Sequence, residues 1–247
     1  MVTAYPVAGK RKSWDLCLAF ARGCGGQIAT TLRPGPAAFY GVNPSNENIW
    51  RAVLADGRDR YMIDNSYFDA VRQRSFRITR NRMQHTGLGT SDGKRLRAMG
   101  IEIKPWRTGG GHILVCPQSD PFMAMMGAPT DWTASVLHRL SGLTDREVRV
   151  RAWSRNKTKI AATLESDLAF AHAVVVWSSA AAVAALLAGV PVVVEAEDCA
   201  SRPMAGTLEQ IENLPRLDRD NWAGVLADNE WTSQEMTSGC AWHHLRP

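Results

Sequence analysis

One stretch constrains this chain more than any other. It runs Ala173-Val174-Val175-Val176-Trp177-Ser178-Ser179-Ala180, continues in alanine and leucine to Ala188, and ends Gly189-Val190-Pro191-Val192. A β-branched run without polar alternation reads as a strand buried on both faces, as in a parallel sheet. Two serines make the turn and a small-residue helix starts at once. Gly189 stops that helix, and Val190–Glu195 reads as the next strand. A strand, a crossover helix and a parallel strand form a βαβ unit, which commits this half to an α/β fold.

The same rhythm runs through the rest. Strands are expected at Val2–Val7, Ala37–Val42, Arg60–Asp64, Phe76–Thr79 and Ile101–Ile103, with a helix at Trp14–Arg22. Ser45 is placed to cap a helix that ends at Asp56 and Gly57, and Asp92 to cap Gly93–Met99. Thr108-Gly109-Gly110-Gly111 is the linker candidate. A second set follows: strand His112–Cys116, a helix from Thr130 or Asp131 to Leu140, strand Glu147–Trp153, and helix Leu164–Phe170. The tail from Arg219 to Leu245 reads as two short helices whose Trp222, Trp231 and Trp242 are groove anchors. The expected class is α/β, with two Rossmann-like domains on parallel sheets. The expected domains are residues 1–108 and 109–215, with a helical tail at 216–247.

Composition narrows the function. No apolar run approaches the roughly 18 residues of a membrane span. Lys10-Arg11-Lys12 is followed by Asp15 and Arg22 rather than an apolar stretch, so no signal peptide is expected. The five cysteines are scattered without a C-x-x-C pair, which points away from a disulfide framework or zinc site and towards a cytoplasmic setting. His243-His244 has no Cys or carboxylate at ligand spacing, so no metal is expected. The net charge is +5, with basic residues gathered in the first half at Lys10–Lys12 and at Arg72, Arg74, Arg77, Arg80 and Arg82. Such a cluster suits a polyanion or forms a solvated basic face. No G-x-G-x-x-G, Walker A or G-x-S-x-G motif occurs.

The pattern of strand, Ser178-Ser179, alanine-rich helix and Leu-Leu-x-Gly-Val-Pro-Val-Val resembles the nucleotide-sugar site of GT-B glycosyltransferases. The kin it resembles are the capsule-polysaccharide (Kdo-transferase-like) group and small phage-encoded relatives. His112–Gln118 resembles the first strand of their C-terminal domain, and the tail from Trp222 to Trp242 resembles that of phage-type members. Arg151 matches the arginine of an Arg-x-His-Pro element, but Ala152-Trp153 replaces His-Pro. The resemblance covers residues 111–245. It implies two facing Rossmann-like domains, a nucleotide-sugar co-substrate and no cofactor or metal. The donor residues it implies are Ser178, Ser179, Ala180, Arg151, Trp153, Glu195 and Gln118. Lys157 or Lys159 would add positive charge. At a helix N-terminus, free main-chain N–H groups and the dipole favour the phosphates; either serine can equally serve as a plain cap.

An inverting transferase needs one base near the acceptor hydroxyl. Asp64 stands at a strand end before Asn65-Ser66, and His85 is the rival base. Arg77 and Arg80, flanking Ile78, are read as sharing one face; with Arg82 and Gln84 they either grip acceptor phosphates or form a basic rim with no ligand. Asn43, ahead of Pro44, lines the same edge or makes a turn. The basic first half, together with the resemblance to phage-type members, suggests a modified base in DNA as the acceptor. The alternatives are a carbohydrate acceptor, or a non-catalytic nucleotide- or DNA-binding protein.

Overall fold

The computed structural model describes residues 1–68, 74–152 and 163–246. In chain order it runs β1 (Thr3–Tyr5), α1 (Arg11–Gly23), β2 (Gln27–Ile28), β3 (Ala37–Tyr40), α2 (Glu47–Ala55), β4 (Arg60–Asn65) and β5 (Phe76–Arg80). Next come α3 (Lys94–Ala98), β6 (His112–Val115), α4 (Asp120–Met125), α5 (Trp132–Leu140), β7 (Glu147–Val150), α6 (Leu164–Leu168), β8 (Ala171–Val176), α7 (Ala181–Leu187) and β9 (Val192–Val194). The chain closes with α8 (Asp220–Asp228), β10 (Glu230–Trp231), α9 (Ser233–Thr237) and α10 (Cys240–Leu245). Two compact units result: Met1–His85 with Leu226–Pro247, and Thr86–Val225.

The first unit is a six-stranded sheet in the order β10-β5-β4-β3-β1-β2. Its strands show period-2 alternation. Ala4, Ala38, Tyr61, Ile63 and Ile78 face one side, where α1 lays Leu16, Cys17 and Phe20. Tyr5, Phe39 and Met62 face the other, against Trp50 and Val53 of α2. Trp231, Met236 and Ala241 complete the first core. Gly23 lets α9 approach α1, since a Cβ there would sit 1.8 Å from the Met236 carbonyl oxygen. β1 to β4 are parallel as expected, but β5 runs antiparallel to β4 and β10 antiparallel to β5. The link from Asn65 to Phe76 is too short for a parallel crossover, which needs a dozen or more residues.

The second unit holds a four-stranded parallel sheet in the order β7-β6-β8-β9. Val174, Val175, Val176, Val192, Val193 and Val194 are each at most 1% exposed, as two-sided burial requires. From β6 the chain goes to β7 on one side, then back across to β8 and on to β9. The strand order therefore reverses between β6 and β8, and in open α/β sheets ligands bind beyond the strand ends at such a point.

Several expectations fail for local reasons. Ile101–Ile103 is not a strand: the Ile101 N–H turns back to Leu96 O, and just beyond it Lys104 and Arg107 N–H bond Leu187 O and Gly189 O at the end of α7. Ser45 does not cap α2. Its hydroxyl donates to Asn43 Oδ1 and accepts the Ala8 N–H, while Asn46 takes the N-cap position. The tail forms three helices and a strand rather than two helices. The chain passes from one unit to the other at His85/Thr86 and inside α8. Of the glycines at 109–111, Gly110 serves close packing within the second unit. A Cβ on Gly110 would stand 2.4 Å from the His172 main chain.

Candidate active site

In the second unit each parallel strand delivers a candidate to its carboxyl end. Arg151 follows β7, Gln118 lies just past β6, Ser178–Ala180 follow β8, and Glu195 follows β9. The Ser178 hydroxyl, fully buried, donates to Gln118 Oε1 at 3.2 Å and ties together the loops on either side of the reversal point. Ser179 Oγ accepts the Ala181 N–H at 3.2 Å, a local side-chain-to-main-chain bond just before α7, whose N-cap is Ala180. Among the described residues, no hydrogen bond is made by the main-chain N–H groups of Ser179 and Ala180.

Arg151 is held by an ion pair with Asp167, whose carbonyl oxygen lies 3.1 Å from His112 Nε2. An ion-pair partner is one of the two roles a strand-end arginine can take, beside that of a phosphate contact. Glu195 accepts the Trp132 indole N–H at 2.6 Å and pairs with Arg139 at 2.6 Å; Arg139 also reaches Glu209 at 2.9 Å. Arg139, Glu195 and Glu209, with Trp177, Arg202 and Thr207, line a cavity of about 340 Å³. Arg202 donates to Val194 O at 2.6 Å and to Glu197 at 3.2 Å. Trp153, Lys157, Lys159 and Arg72 lie outside the described residues.

In the first unit, Asp64 and Arg77 are cross-strand partners on β4 and β5 and form an ion pair. Arg77 is buried, gives a second hydrogen bond to Asn65 O at 2.9 Å, and stacks on the Tyr67 ring at 4.4 Å. Lys12 Nζ and the Tyr40 hydroxyl both donate to Asn65 Oδ1, at 2.9 and 3.1 Å, and Lys12 lies over the Phe76 ring. Burial lowers the Lys12 ammonium from its ordinary value against the pull of Asp64, and burial first, with Asp64, pushes the Tyr40 phenol up to about 12. A half-exposed carboxylate therefore sits between two cations beside a neutral phenol.

Arg77 and Arg80 do not form one grip. Both lie in β5, and an odd separation along a strand places them on opposite faces. Arg77 pairs with Asp64, and Arg80 with Asp59 at 2.8 Å. Gln84 is interior, 2% exposed, and Asn43 Oδ1 accepts the Ser45 N–H in a turn.

His85 receives on its main chain the link that joins it to this network: its N–H donates to the Tyr67 hydroxyl at 3.2 Å. Burial first, then the nearby His244 and Arg82, lowers its imidazole below the ordinary histidine value. The folded ring refuses a proton that the unfolded ring accepts. Its contribution to stability is present above pH ~6.5 and is lost as pH falls below that through the folded value. Unfolding followed between pH 7 and 5 should show a shallower loss for His85→Gln than for the parent chain. Parallel slopes would contradict this reading of the site.

Sequence reading did not find Lys12, Tyr40, Asn65, Tyr67 or Glu230 in the first unit, nor Trp132, Arg139, Asp167 and Arg202 in the second. Lys12 was visible only as part of a basic run. The others carry no local motif and meet through strand pairing.

Among the described residues no group of three His, Cys, Asp or Glu side chains stands together as a metal site. No helix there is long and apolar enough to cross a membrane. No family model matches the chain, and no curated protein matches its sequence. Among solved structures, Thermosulfurimonas dismutans KpsC, β Kdo 2,4 transferase, aligns at TM-score 0.49 and 12% identity over 90% of this chain and 89% of that one. Thermosulfurimonas dismutans KpsC, β Kdo 2,7 transferase, aligns at TM-score 0.54 and 11% identity over 98% of this chain and 99% of that one. At that identity the likeness is one of fold, and the chain has a mixed α/β, Rossmann-like fold on parallel sheets that it shares with the KpsC β Kdo 2,7 transferase.

Proposed function

We propose that the chain is a glycosyltransferase of the GT-B kind. The second unit takes a nucleotide-sugar and the first supplies the acceptor-side base. The observation that carries this reading is the carboxyl edge of the parallel sheet. All four strands there end in a residue suited to a donor: Arg151, Gln118, Ser178–Ala180 and Glu195. In this reading the Ser179 and Ala180 N–H groups meet the phosphates. Fixed donors aimed where charge develops on the leaving nucleotide do the work of a cation, so transfer needs no metal. Glu195, with the Trp132 indole and Arg139 fixing its carboxylate, takes sugar or ribose hydroxyls in the adjoining cavity.

Asp64 is the base that receives the acceptor's hydroxyl proton, and His85 is the alternative. A carbohydrate acceptor fits better than duplex DNA. Arg77 and Arg80 are each neutralised by a carboxylate and face opposite ways, so they do not make the continuous basic footprint that phosphate backbones require. The fold neighbour's own activity makes Kdo the first sugar to try.

The test is release of free nucleotide from a panel of nucleotide-sugars, nucleotide-activated Kdo included, with and without EDTA. Turnover that EDTA does not reduce, and that Glu195→Gln slows mainly through KM, is the expected result. A panel in which no nucleotide-sugar binds or is consumed would sink the reading.

A further inference from the structure

Glu230 is wholly buried in the first unit, on a two-residue strand near the end of the chain. Each of its carboxylate oxygens meets donors from far away in sequence. Oε1 accepts the Tyr67 N–H at 2.5 Å and Oε2 accepts the Ser75 hydroxyl at 2.8 Å; the Ser66 hydroxyl donates as well. Ser66 and Tyr67 follow the last residue of β4, and Ser75 immediately precedes β5. One carboxylate therefore grips the outgoing end of one strand and the incoming end of the next.

Those strands carry Asp64 and Arg77, which face each other in register. Glu230 is itself the register partner of Arg77 on the other side. In a tight hairpin the turn sets register, and a slip of one residue turns every side chain to the opposite face. The connection from Asn65 to Phe76 is longer than such a turn, so register must be fixed by something else. Burying a carboxylate is costly unless hydrogen bonds satisfy it, and an apolar residue would fill the space at less cost. Burial pushes the Glu230 carboxyl above the ordinary glutamate value, while Ser66, Ser75, the Tyr67 N–H and the charge of Arg77 draw it back. Every partner named here is a donor or a cation, a set that only an acceptor at position 230 satisfies.

We propose that Glu230 is a positioning residue that clamps β4 to β5 in the register pairing Asp64 with Arg77. Its catalytic part rests on Asp64 being the acceptor-side base; the clamp itself does not.

The test compares the full chain with Glu230→Gln and Ser75→Ala, the second removing one grip and leaving the buried carboxylate. One arm follows the Arg77 guanidinium resonances by nitrogen-15 NMR at low temperature, with circular dichroism to show that each variant is folded. The other measures kcat and KM with nucleotide-activated Kdo. The clamp requires the Arg77 signals to broaden or shift in both folded variants; its catalytic part requires kcat at least tenfold lower in Glu230→Gln with KM within twofold. Unmoved Arg77 signals in folded Glu230→Gln overturn it; should that variant fail to fold, the same result in Ser75→Ala does so. If the parent chain turns over no nucleotide-sugar but the Arg77 signals respond, the transferase reading fails and the clamp stands.

Discussion

Asp64→Asn is expected to lower sugar transfer by about 10²- to 10⁴-fold, the usual contribution of a positioned general base. The amide keeps the shape of the side chain but cannot take the acceptor proton. It also leaves the buried Arg77 guanidinium with Asn65 O and the Tyr67 ring but without its carboxylate. Removing the half-exposed partner of a buried guanidinium costs stability, by less than the roughly 3 kcal/mol of a fully buried pair, so unfolding should be measured beside rate. The rate loss should fall on kcat and persist at temperatures where the variant is fully folded. A variant that keeps more than a tenth of parental kcat, while His85→Gln does not, would move the base to His85.

Trp222→Ala should give the largest loss of stability outside the site. Trp222 is 2% exposed, its indole N–H donates to Ala200 O at 2.8 Å, and a Cβ on Gly87 would lie 2.5 Å from its ring. The ring fills a slot that backbone on one side cannot close, so truncation leaves a cavity and an orphaned carbonyl. Such changes cost about 3–5 kcal/mol. The loss should appear in the transition of the second unit, because every contact named lies within it. Denaturant unfolding with a probe in each unit checks this, and a fall of under 1 kcal/mol, or one confined to the first unit, would contradict it.

Much of the second unit was legible because its signals are local. The valine runs mark two-sided burial, Gly189 ends α7 with a positive φ of +79°, and the Ser-Ser turn marks the strand's carboxyl end. The first unit was legible only in rhythm. Strand period placed β1, β3, β4 and β5, but nothing near Glu230 says that two residues of the tail pair with β5. The basic stretch fell short for the same reason. Arginines in sequence read as a surface for phosphates or as a solvated face, and neither reading shows that the fold brings Asp64 and Asp59 to Arg77 and Arg80. Gln84 looked like a polar contact and is interior, because sequence cannot show which polar side chain a fold encloses. The triple glycine looked like a linker, yet Gly110 is needed because β8 passes against it.

The central claim is that the carboxyl edge of the four-stranded sheet holds the nucleotide of the donor. Amide chemical shifts recorded while a nucleoside phosphate is added test it most directly. The expected result is saturable movement of the Ser179 and Ala180 amides, with Gln118 and the residues beside Glu195 following the same curve. Saturable movement confined to the first unit, or none at millimolar nucleotide, would contradict it.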